Sequence, residues 1–356
     1  DMLKLALSAH GSTYATTGNY NNHIGTPLNL ANLPPDCDFA VFEMGMNHAG
    51  EIAHLTRMVR PQVAVITNVE AVHLEFFDSV EAIADAKAEI FEGMTKGGVA
   101  VLNADNPHFA RLKKAAVARG LQVIACGEDP AADCRLIDYR AHASGSSVKA
   151  NIFGKEITCT LGAVGRHWAI ASLLALGVTH ALGLDAEVSA LALAAFSEPE
   201  GRGKSVRIHV AKGEALLIDD SYNASPASMR AAFAKTGEIC EAAEKPGRKI
   251  AALGDMLELG KESAALHAAL AEDLLRHGFT VVLTTGEGMR HLHDKLPKDL
   301  CTVHVPTPLD MLPLLKGNTD AGDIVLVKGS HGSHMYELAE ALKQSGVVQK
   351  EKQHAL

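Results

Sequence analysis

Three residues whose side chains suit metal or acid–base chemistry follow one another in the first part of the chain. Glu43 ends the apolar run 39–42, His73 follows the run 63–66, and Lys87 lies in the next helical pattern. Because short apolar runs predict buried parallel strands, and ligands bind at the carboxyl ends of such strands, a shared site is geometrically plausible. Carboxylate and imidazole are reasonable ligands for Mg²⁺ or Mn²⁺. The alternative for Glu43 is a solvated acid or a helix-cap partner, which is about as common.

Lys87 lies on the apolar stripe of a helix predicted over residues 79–94. An inward ammonium is costly unless it is paired or chemically altered, and a divalent metal would repel it. Carbamylation by CO2 would make Lys87 an anion and remove the conflict. The commoner fate of such a lysine is to extend along its own stem to the surface. His73 beside Glu75 is a weak zinc signal, since no HxxxH pair or cysteine cluster accompanies it.

The elements that must position these residues have an α/β pattern. Further strands are predicted at 12–17, 99–102 and 122–126, and alternating patterns at 134–141, 147–153 and 156–161 indicate an antiparallel edge. Helices are predicted at 26–33, 51–59, 166–181 and 186–196.

The second half of the chain alternates strands and helices. Apolar runs at 215–218, 250–253, 281–284 and 324–327 each lead into polar residues. Right-handed crossovers and a mostly parallel sheet should gather these polar ends along one edge. Adjacent strand residues point to opposite faces, so one of Asp219 and Asp220 should serve structure. Ser225 and Pro226 have the types expected of a helix cap and first helical residue.

The segment 197–205 is the predicted boundary between two domains, 1–201 and 202–356, since it is rich in Pro, Gly and charge. Its Gly203-Lys204-Ser205 imitates a phosphate loop, but Glu198 occupies the place of the first glycine and no buried strand precedes it. Arg202 could reach an anion held between domains, or be a solvated linker charge.

Composition limits the class of protein. The 356 residues are 47% hydrophobic and 21% charged, with a net charge of -9, which argues against a nucleic-acid partner. Six scattered cysteines without a CxxC pair fit a reducing cytoplasm. No apolar run approaches the ~20 residues of a membrane helix. Because Asp1 already lies in a helical pattern, we expect a fragment of a longer chain.

Several segments, in order along nearly the whole chain, resemble the Mur ligases, in particular the MurF type. They are Gly18–Pro27, Glu43–Ile52, the His73 loop, Lys87–Phe91, Asn103–Asn106, Gly165–His167, Asp219–Ala224, Gly254–Gly260 and Leu326–Ser330.

The resemblance implies a mostly parallel ATPase-type domain with an antiparallel edge, followed by a Rossmann-like domain. It also implies an ATP-dependent ligase that phosphorylates the carboxylate of UDP-N-acetylmuramoyl-tripeptide and joins it to D-Ala-D-Ala. Such an enzyme works in cytoplasmic peptidoglycan precursor synthesis, and we expect a monomer.

Residue roles follow from the same resemblance. Two Mg²⁺ ions would be held by Glu43 and by His73 with carbamylated Lys87. ATP would be contacted by Arg202, Asp220, Asn223 and His167. The peptide substrates would lie near Asn22, Lys328 and Ser330.

Departures from the family pattern are also expected to matter. Trp168 and Ser172 stand where asparagines help hold adenine, and His331 stands where an arginine is expected. The family's N-terminal domain and Gly-Lys-Thr phosphate loop are missing, so we expect these 356 residues alone to be inactive. Rival assignments are a meso-diaminopimelate-adding or folylpolyglutamate ligase, and a non-catalytic binding module.

Overall fold

The computed structural model describes residues 1–16, 18–71, 74–142, 144–210, 213–245 and 247–353, with side chains described up to residue 345. It contains two compact units, one formed mainly by the residues up to Phe196 and the other mainly by those from Ser197 onward. The domain limits at residues 201 and 202 stay a prediction.

The first unit contains a parallel pair of strands and a larger sheet with the order β3-β4-β5-β6-β7-β8. The pair consists of β1 (Thr13–Ala15) and β2 (Phe39–Val41). The larger sheet consists of β3 (Val63–Ile66), β4 (Val99–Asn103), β5 (Gln122–Gly127), β6 (Cys134–His142), β7 (Gly145–Ile152) and β8 (Lys155–Leu161). The helices are α1 (Met2–Ser8), α2 (Gly25–Ala31), α3 (Glu51–Val59), α4 (Val80–Ala88), α5 (Phe109–Ala118), α6 (Arg166–Ala181) and α7 (Ala186–Ala192).

The antiparallel edge is confirmed for β7 and β8, whose residues alternate between buried and exposed. Strand β6 corrects the prediction in part, because it enters the sheet parallel to β5 through Cys126 opposite Cys134. Alternation of apolar and polar residues indicates that one face of a strand is exposed to solvent. Both parallel and antiparallel strands can show this pattern.

Strand β2, which leads to Glu43, was predicted to be buried, and this prediction is wrong. Ala40 is exposed, and Phe39 and Val41 are only partly buried. Within the residues that the structure describes, β2 pairs with β1 alone. A strand with one neighbour keeps more of its surface in contact with water.

The single helix predicted over 79–94 is also corrected. Helix α4 ends at Ala88, and a 3₁₀ turn, Glu89–Gly93, follows it. This turn packs on α3, where the Thr56 hydroxyl donates to the Ile90 carbonyl at 2.7 Å. A side chain at Gly93 would collide with the Thr56 carbonyl, so the close approach requires glycine there.

The second unit is a sheet with the order β13-β12-β11-β14-β10-β9. Its strands are β9 (Lys204–Val210), β10 (Gly213–Asp220), β11 (Lys249–Leu253), β12 (Val281–Thr285), β13 (Cys301–Val305) and β14 (Ile324–Lys328). Its helices are α8 (Pro226–Glu241), α9 (Ser263–Arg276), α10 (Glu287–Lys295), α11 (Met311–Asn318) and α12 (Met335–Gln353). Neighbouring strands from β13 to β10 are parallel, which confirms the predicted α/β class, and only β9 is antiparallel.

Two apolar cores cover the faces of this sheet. One contains Phe233 and Leu274 of α8 and α9, and the other contains Leu315 and Leu338 of α11 and α12. Strand β14 lies between β11 and β10 and is buried along its whole length. Its carboxyl end is therefore fixed at the centre of the sheet edge.

None of the described helices combines the length and apolarity needed to cross a membrane.

Candidate functional site

Glu43 presents an exposed carboxylate whose direction is set by Asn21. The amide nitrogen Nδ2 of Asn21 donates to Oε1 of Glu43 at 2.8 Å, and the Asn21 carbonyl accepts from the Gly45 amide at 2.9 Å. A Cβ atom at Gly45 would lie 2.9 Å from the Asn21 side chain, so glycine permits this approach. The other oxygen, Oε2, has no hydrogen-bond partner among the described residues. Glu43 is therefore oriented and still able to bind a ligand.

The loop after Glu43 is fastened to α3 by two further carboxylates. Oε2 of Glu51 accepts from the amides of Asn47 and His48 at 2.7 and 3.2 Å. Glu89 accepts from the amides of Gly50 and Ala53 at 2.6 and 3.1 Å, so it caps the N-terminus of α3. Because Glu89 comes two residues after Lys87, this cap also fixes the end of the lysine helix against that loop.

Lys87 is partly buried, and burial lowers the pKa of its amine. Within the described part of the chain, no carboxylate pairs with it. A half-buried amine without a counter-ion is easier to deprotonate than a solvated lysine. His73 lies outside the described residues, so the shared locus of Glu43, His73 and Lys87 stays a prediction.

Asn22 is exposed, but its side chain already supports the start of α2. Its Oδ1 accepts from the amides of Ile24 and Gly25, both at 3.0 Å. The remaining polar group that it presents to a ligand is its Nδ2 amide. A role toward the peptide substrates stays a prediction.

His167 and Trp168 begin α6 and form a small aromatic group with Phe196. The Trp168 ring lies 4.9 Å from both the His167 and the Phe196 ring centroids. The indole Nε1 is buried and has no partner among the described residues. The Ser172 hydroxyl is buried and donates to the Ala169 carbonyl at 2.7 Å, so it satisfies its own helix. Neither Trp168 nor Ser172 has the side-chain amide of an asparagine, which offers both a donor and an acceptor.

In the second unit, Asp220 and Lys328 end the neighbouring strands β10 and β14 and stand opposite each other. Their side chains pair at 2.7 Å, and the lysine also donates to the Asn223 carbonyl at 2.9 Å. Lys328 is buried, whereas the Asp220 side chain is 19% exposed. In this pair the Asp220 carboxylate is therefore partly accessible to solvent, whereas the Lys328 ammonium is buried.

Asp219 has the structural role predicted for one of the two adjacent acids. It is buried, accepts from the Ser221 hydroxyl at 2.6 Å, and pairs with Lys343 of α12 at 2.7 Å. Asp220 points to the opposite face, because the side chains of neighbouring strand residues alternate. Its role toward a ligand stays a prediction.

Ser330 follows β14 and links its end to the segment after β11. Its hydroxyl accepts from the Leu257 amide at 2.9 Å, and its own amide donates to the Asp255 carbonyl at 2.9 Å. The Gly254 amide donates to the Lys328 carbonyl at 2.8 Å. These bonds confirm that the polar ends of the strands gather along one edge of the sheet.

The segment Gly254–Gly260 is mainly structural in this arrangement. The Asp255 carboxylate caps α10 through the amides of Gly288 and Met289 at 3.2 and 2.7 Å. The buried His267 accepts from the Met256 amide through Nε2 at 3.0 Å and donates from Nδ1 to the Ser263 carbonyl at 2.7 Å. Those bonds assign a neutral imidazole, and burial lowers its pKa.

Arg202 is exposed and lies over the ring of Tyr222, with Cζ 4.2 Å from the ring centroid. The Tyr222 amide donates to the Gly201 carbonyl at 2.9 Å, which fixes the backbone before the arginine. Stacking on one face leaves the edge of the guanidinium free for an anion. Arg202 is therefore held in place, unlike an ordinary solvated linker charge.

Sequence reasoning missed two residues that orient predicted site residues. Asn21 holds Glu43, and Tyr222 supports Arg202. The Asn-rich loop around Asn21 was a visible signal, but which of its amides would reach Glu43 depends on the loop conformation. The contact between Tyr222 and Arg202 joins two loops that are separate in the sequence, and it has no sequence signature.

The exposed Glu43 carboxylate is the type of ligand that suits Mg²⁺, which proteins commonly bind through one or two carboxylates together with water and phosphate oxygens. Among the described residues, no group of three or more His, Cys, Asp or Glu side chains is arranged to hold a metal ion. The role of Glu43 as a metal ligand stays a prediction.

Family models match both units. The Mur ligase middle domain matches residues 1–179, and the model named Mur ligase, glutamate ligase domain matches residues 206–331.

Several similar proteins are UDP-N-acetylmuramoyl-tripeptide–D-alanyl-D-alanine ligases, also called MurF. The chain is 32% identical to the UDP-N-acetylmuramoyl-tripeptide–D-alanyl-D-alanine ligase of Rickettsia prowazekii over 96% of its own length and 74% of the relative's. A solved structure of MurF from Acinetobacter baumannii superposes with a TM-score of 0.85 at 27% identity, covering 96% of this chain and 73% of that one. MurF ligase from Thermotoga maritima, solved in complex with ADP, gives a TM-score of 0.83 at 27% identity, covering 98% and 77%. The chain therefore belongs to the Mur ligase family and is of the MurF type.

Proposed function

We propose that the protein joins D-Ala-D-Ala to UDP-N-acetylmuramoyl-tripeptide at the expense of ATP. The observation that carries this proposal is the 32% identity, along 96% of the chain, to a relative named for that reaction. In the first step, the tripeptide carboxylate takes the γ-phosphoryl group of ATP and releases ADP. In the second, the dipeptide amine attacks the acyl phosphate, loses a proton and displaces inorganic phosphate.

The residues of the first unit supply the charge that this chemistry needs. Mg²⁺, when bound, neutralises phosphate charge during phosphoryl transfer. We assign Glu43 as its carboxylate ligand beside the nucleotide, since Asn21 holds that side chain outward. We assign His73 and carbamylated Lys87 to a second ion, and the proposed carbamate is supported by a half-buried amine that has no described counter-ion.

Most of the residues that we assign to the nucleotide and the peptides belong to the second unit. Arg202 offers a supported guanidinium to a phosphate, and Asp220 and Asn223 offer polar groups to the ribose and the nucleotide nearby. His167 of the first unit would contact ATP at the start of α6. For the peptide substrates we retain Asn22, Lys328 and Ser330.

The test uses the complete gene product with ATP, Mg²⁺ and UDP-N-acetylmuramoyl-tripeptide. D-Ala-D-Ala is compared with D-Ala, L-glutamate and meso-diaminopimelate as the amine, and the product is identified by mass spectrometry. We expect the dipeptide to be the preferred amine, with one inorganic phosphate released for each amide formed. Preference for a single amino acid would replace this assignment by another ligase type. Nucleotide binding without phosphate release would favour a non-catalytic binding module.

A further inference from the structure

The turn that carries Arg202 rests on a buried ion pair that none of the assigned roles uses. We call residues 198–203 the arginine turn. Lys235 of α8 is 3% exposed, and its ammonium contacts both Oε1 of Glu198 and the carbonyl oxygen of Gly203. A single cation therefore binds the first and the last residue of the turn, with Arg202 between them.

The backbone of the turn is shaped for this contact. Gly203 has a φ of +90°, and a Cβ atom there would lie 3.0 Å from Nζ of Lys235. The Gly203 amide donates to the Asp219 carbonyl at 2.8 Å, and the Arg202 amide donates to the Pro199 carbonyl at 3.1 Å. The turn is thus tied to β10 on one side and to α8 on the other.

Stability alone gives little reason for a charged pair at this place. Burying a lysine and a glutamate removes both from water, and apolar residues of similar size are often equally stable or more so. The pair does fix the geometry of the turn, because the Lys235 ammonium must contact the Glu198 carboxylate and the Gly203 carbonyl oxygen together.

We propose that Lys235 and Glu198 are positioning residues that hold Arg202 in the geometry that binds the nucleotide. The inference rests on the proposed function, because it takes the arginine as a phosphate ligand. Loss of the pair should free the turn, so that the guanidinium must be ordered again each time a nucleotide binds. The free energy needed to order the guanidinium should then weaken nucleotide binding more than it lowers kcat.

The experiment measures KM for ATP, kcat and thermal stability in the complete gene product. Arg202→Ala removes a charged hydrogen-bond donor, so KM for ATP should rise roughly 10- to 100-fold. We expect Lys235→Met to raise KM for ATP about tenfold, as partial loss of that contact, with a smaller change in kcat. Glu198→Gln/Lys235→Met removes both charges at once, so it should recover stability relative to Lys235→Met while KM for ATP stays raised.

A matched control is the ion pair of Arg248 and Asp323, which joins the amino ends of β11 and β14 at 2.7 Å, at the sheet edge opposite Asp220. Arg248→Met/Asp323→Asn should lower stability and leave KM for ATP within about twofold of the unchanged enzyme, because distant sites act independently.

Two results would overturn the inference. If Arg202→Ala raises KM for ATP but neither Lys235→Met nor the double variant does, the pair has no positioning role and the proposed function stands. If Arg202→Ala itself leaves KM unchanged, the assignment of Arg202 to the nucleotide fails together with the inference.

Discussion

At the scale of single residues, Glu43 and Lys87 show opposite ways of preparing a group for chemistry. Glu43 is exposed, and one amide fixes the direction of its carboxylate. Lys87 is partly buried, and the described residues give it no counter-ion. The first arrangement suits a metal ligand directly, whereas the second suits a group that must first react.

We predict that Lys87 reacts with CO2, because its amine loses a proton more readily than a solvated lysine does. In an enzyme depleted of CO2, activity should fall, and added bicarbonate should restore it. Lys87→Ala should lose most activity and should not respond to bicarbonate. Labelling with ¹³CO2 followed by NMR should show a carbamate carbon that is absent from Lys87→Ala.

The control for this prediction is Lys96→Ala, which removes an exposed lysine of the same unit. It should keep both the activity and the response to bicarbonate. Unchanged activity of Lys87→Ala would rule out the carbamate.

His267 leads to a prediction about pH. Its folded-state pKa is lowered by burial, so the unfolded chain binds a proton at a higher pH than the folded chain does. The stabilisation is complete above the unfolded pKa of about 6.5 and is lost as the pH falls below it toward the folded value. Urea denaturation at several values of pH should show this decline.

The variant His267→Leu should remove that part of the pH dependence. It also leaves the buried Met256 amide without an acceptor, so stability at neutral pH should fall by about 1–3 kcal/mol. His209→Gln, at an exposed position of β9, is the control and should keep the decline. An equal slope in His267→Leu and the unchanged protein would contradict the assignment.

At the scale of elements, local sequence signals determined much of the fold. Helix α3 begins and ends where its apolar pattern does, and α8 begins with the Ser225 cap and Pro226 that the sequence indicated. The sequence pattern does not predict strand β9, because its residues follow a linker rich in glycine and charge. They form a strand through their pairing with β10. The exposure of Ala40 depends on which strands flank β2, and sequence periodicity does not report neighbours.

The same limit applies to the site. Strand ends carrying Asp220 and Lys328 were predictable from apolar runs followed by polar residues. The contacts that Tyr222 makes with Arg202 and Lys235 makes with the arginine turn were not predictable, since these residues are 20 and 33 positions away from Arg202 in the chain. Contacts of that separation follow from the packing of the folded unit.

The capping of α3 by Glu89 gives a prediction for an element. Glu89→Ala leaves the amides of Gly50 and Ala53 without their acceptor, so the first unit should lose about 1–2 kcal/mol of stability. Chemical denaturation followed by tryptophan fluorescence measures this, since Trp168 is the single tryptophan and belongs to the first unit.

Glu92→Ala is the control within the same 3₁₀ turn. Glu92 forms ion pairs with Arg57 and Arg119 at 2.7 and 3.1 Å, with both arginines largely exposed. Exposed pairs contribute about 0–1 kcal/mol, so this variant should be the milder one. If Glu92→Ala lowered the stability of the first unit as much as Glu89→Ala does, the cap would contribute no more than an exposed ion pair.

At the scale of the whole molecule, each unit has its own core, so we predict two separable unfolding transitions. In urea, Trp168 fluorescence should follow the first unit alone, whereas far-ultraviolet circular dichroism should follow both. Asp323→Asn weakens the second unit, since Asp323 pairs with Arg248, and should move only the transition that the fluorescence does not report. If fluorescence and circular dichroism gave the same transition in the unchanged protein and in Asp323→Asn, the two units would unfold as a single cooperative body.

The order of strands in the two large sheets has a consequence for synthesis on the ribosome. In the first unit, β3 to β8 lie side by side in the order in which they are translated, so each strand can join its neighbour as it emerges. In the second unit, the central β14 is the last strand to be made and separates β10 from β11. That sheet cannot close until Ile324–Lys328 has left the exit tunnel, so its apolar faces stay open for most of the time that the unit is being translated. We therefore expect the nascent second unit to need chaperones more than the nascent first unit does.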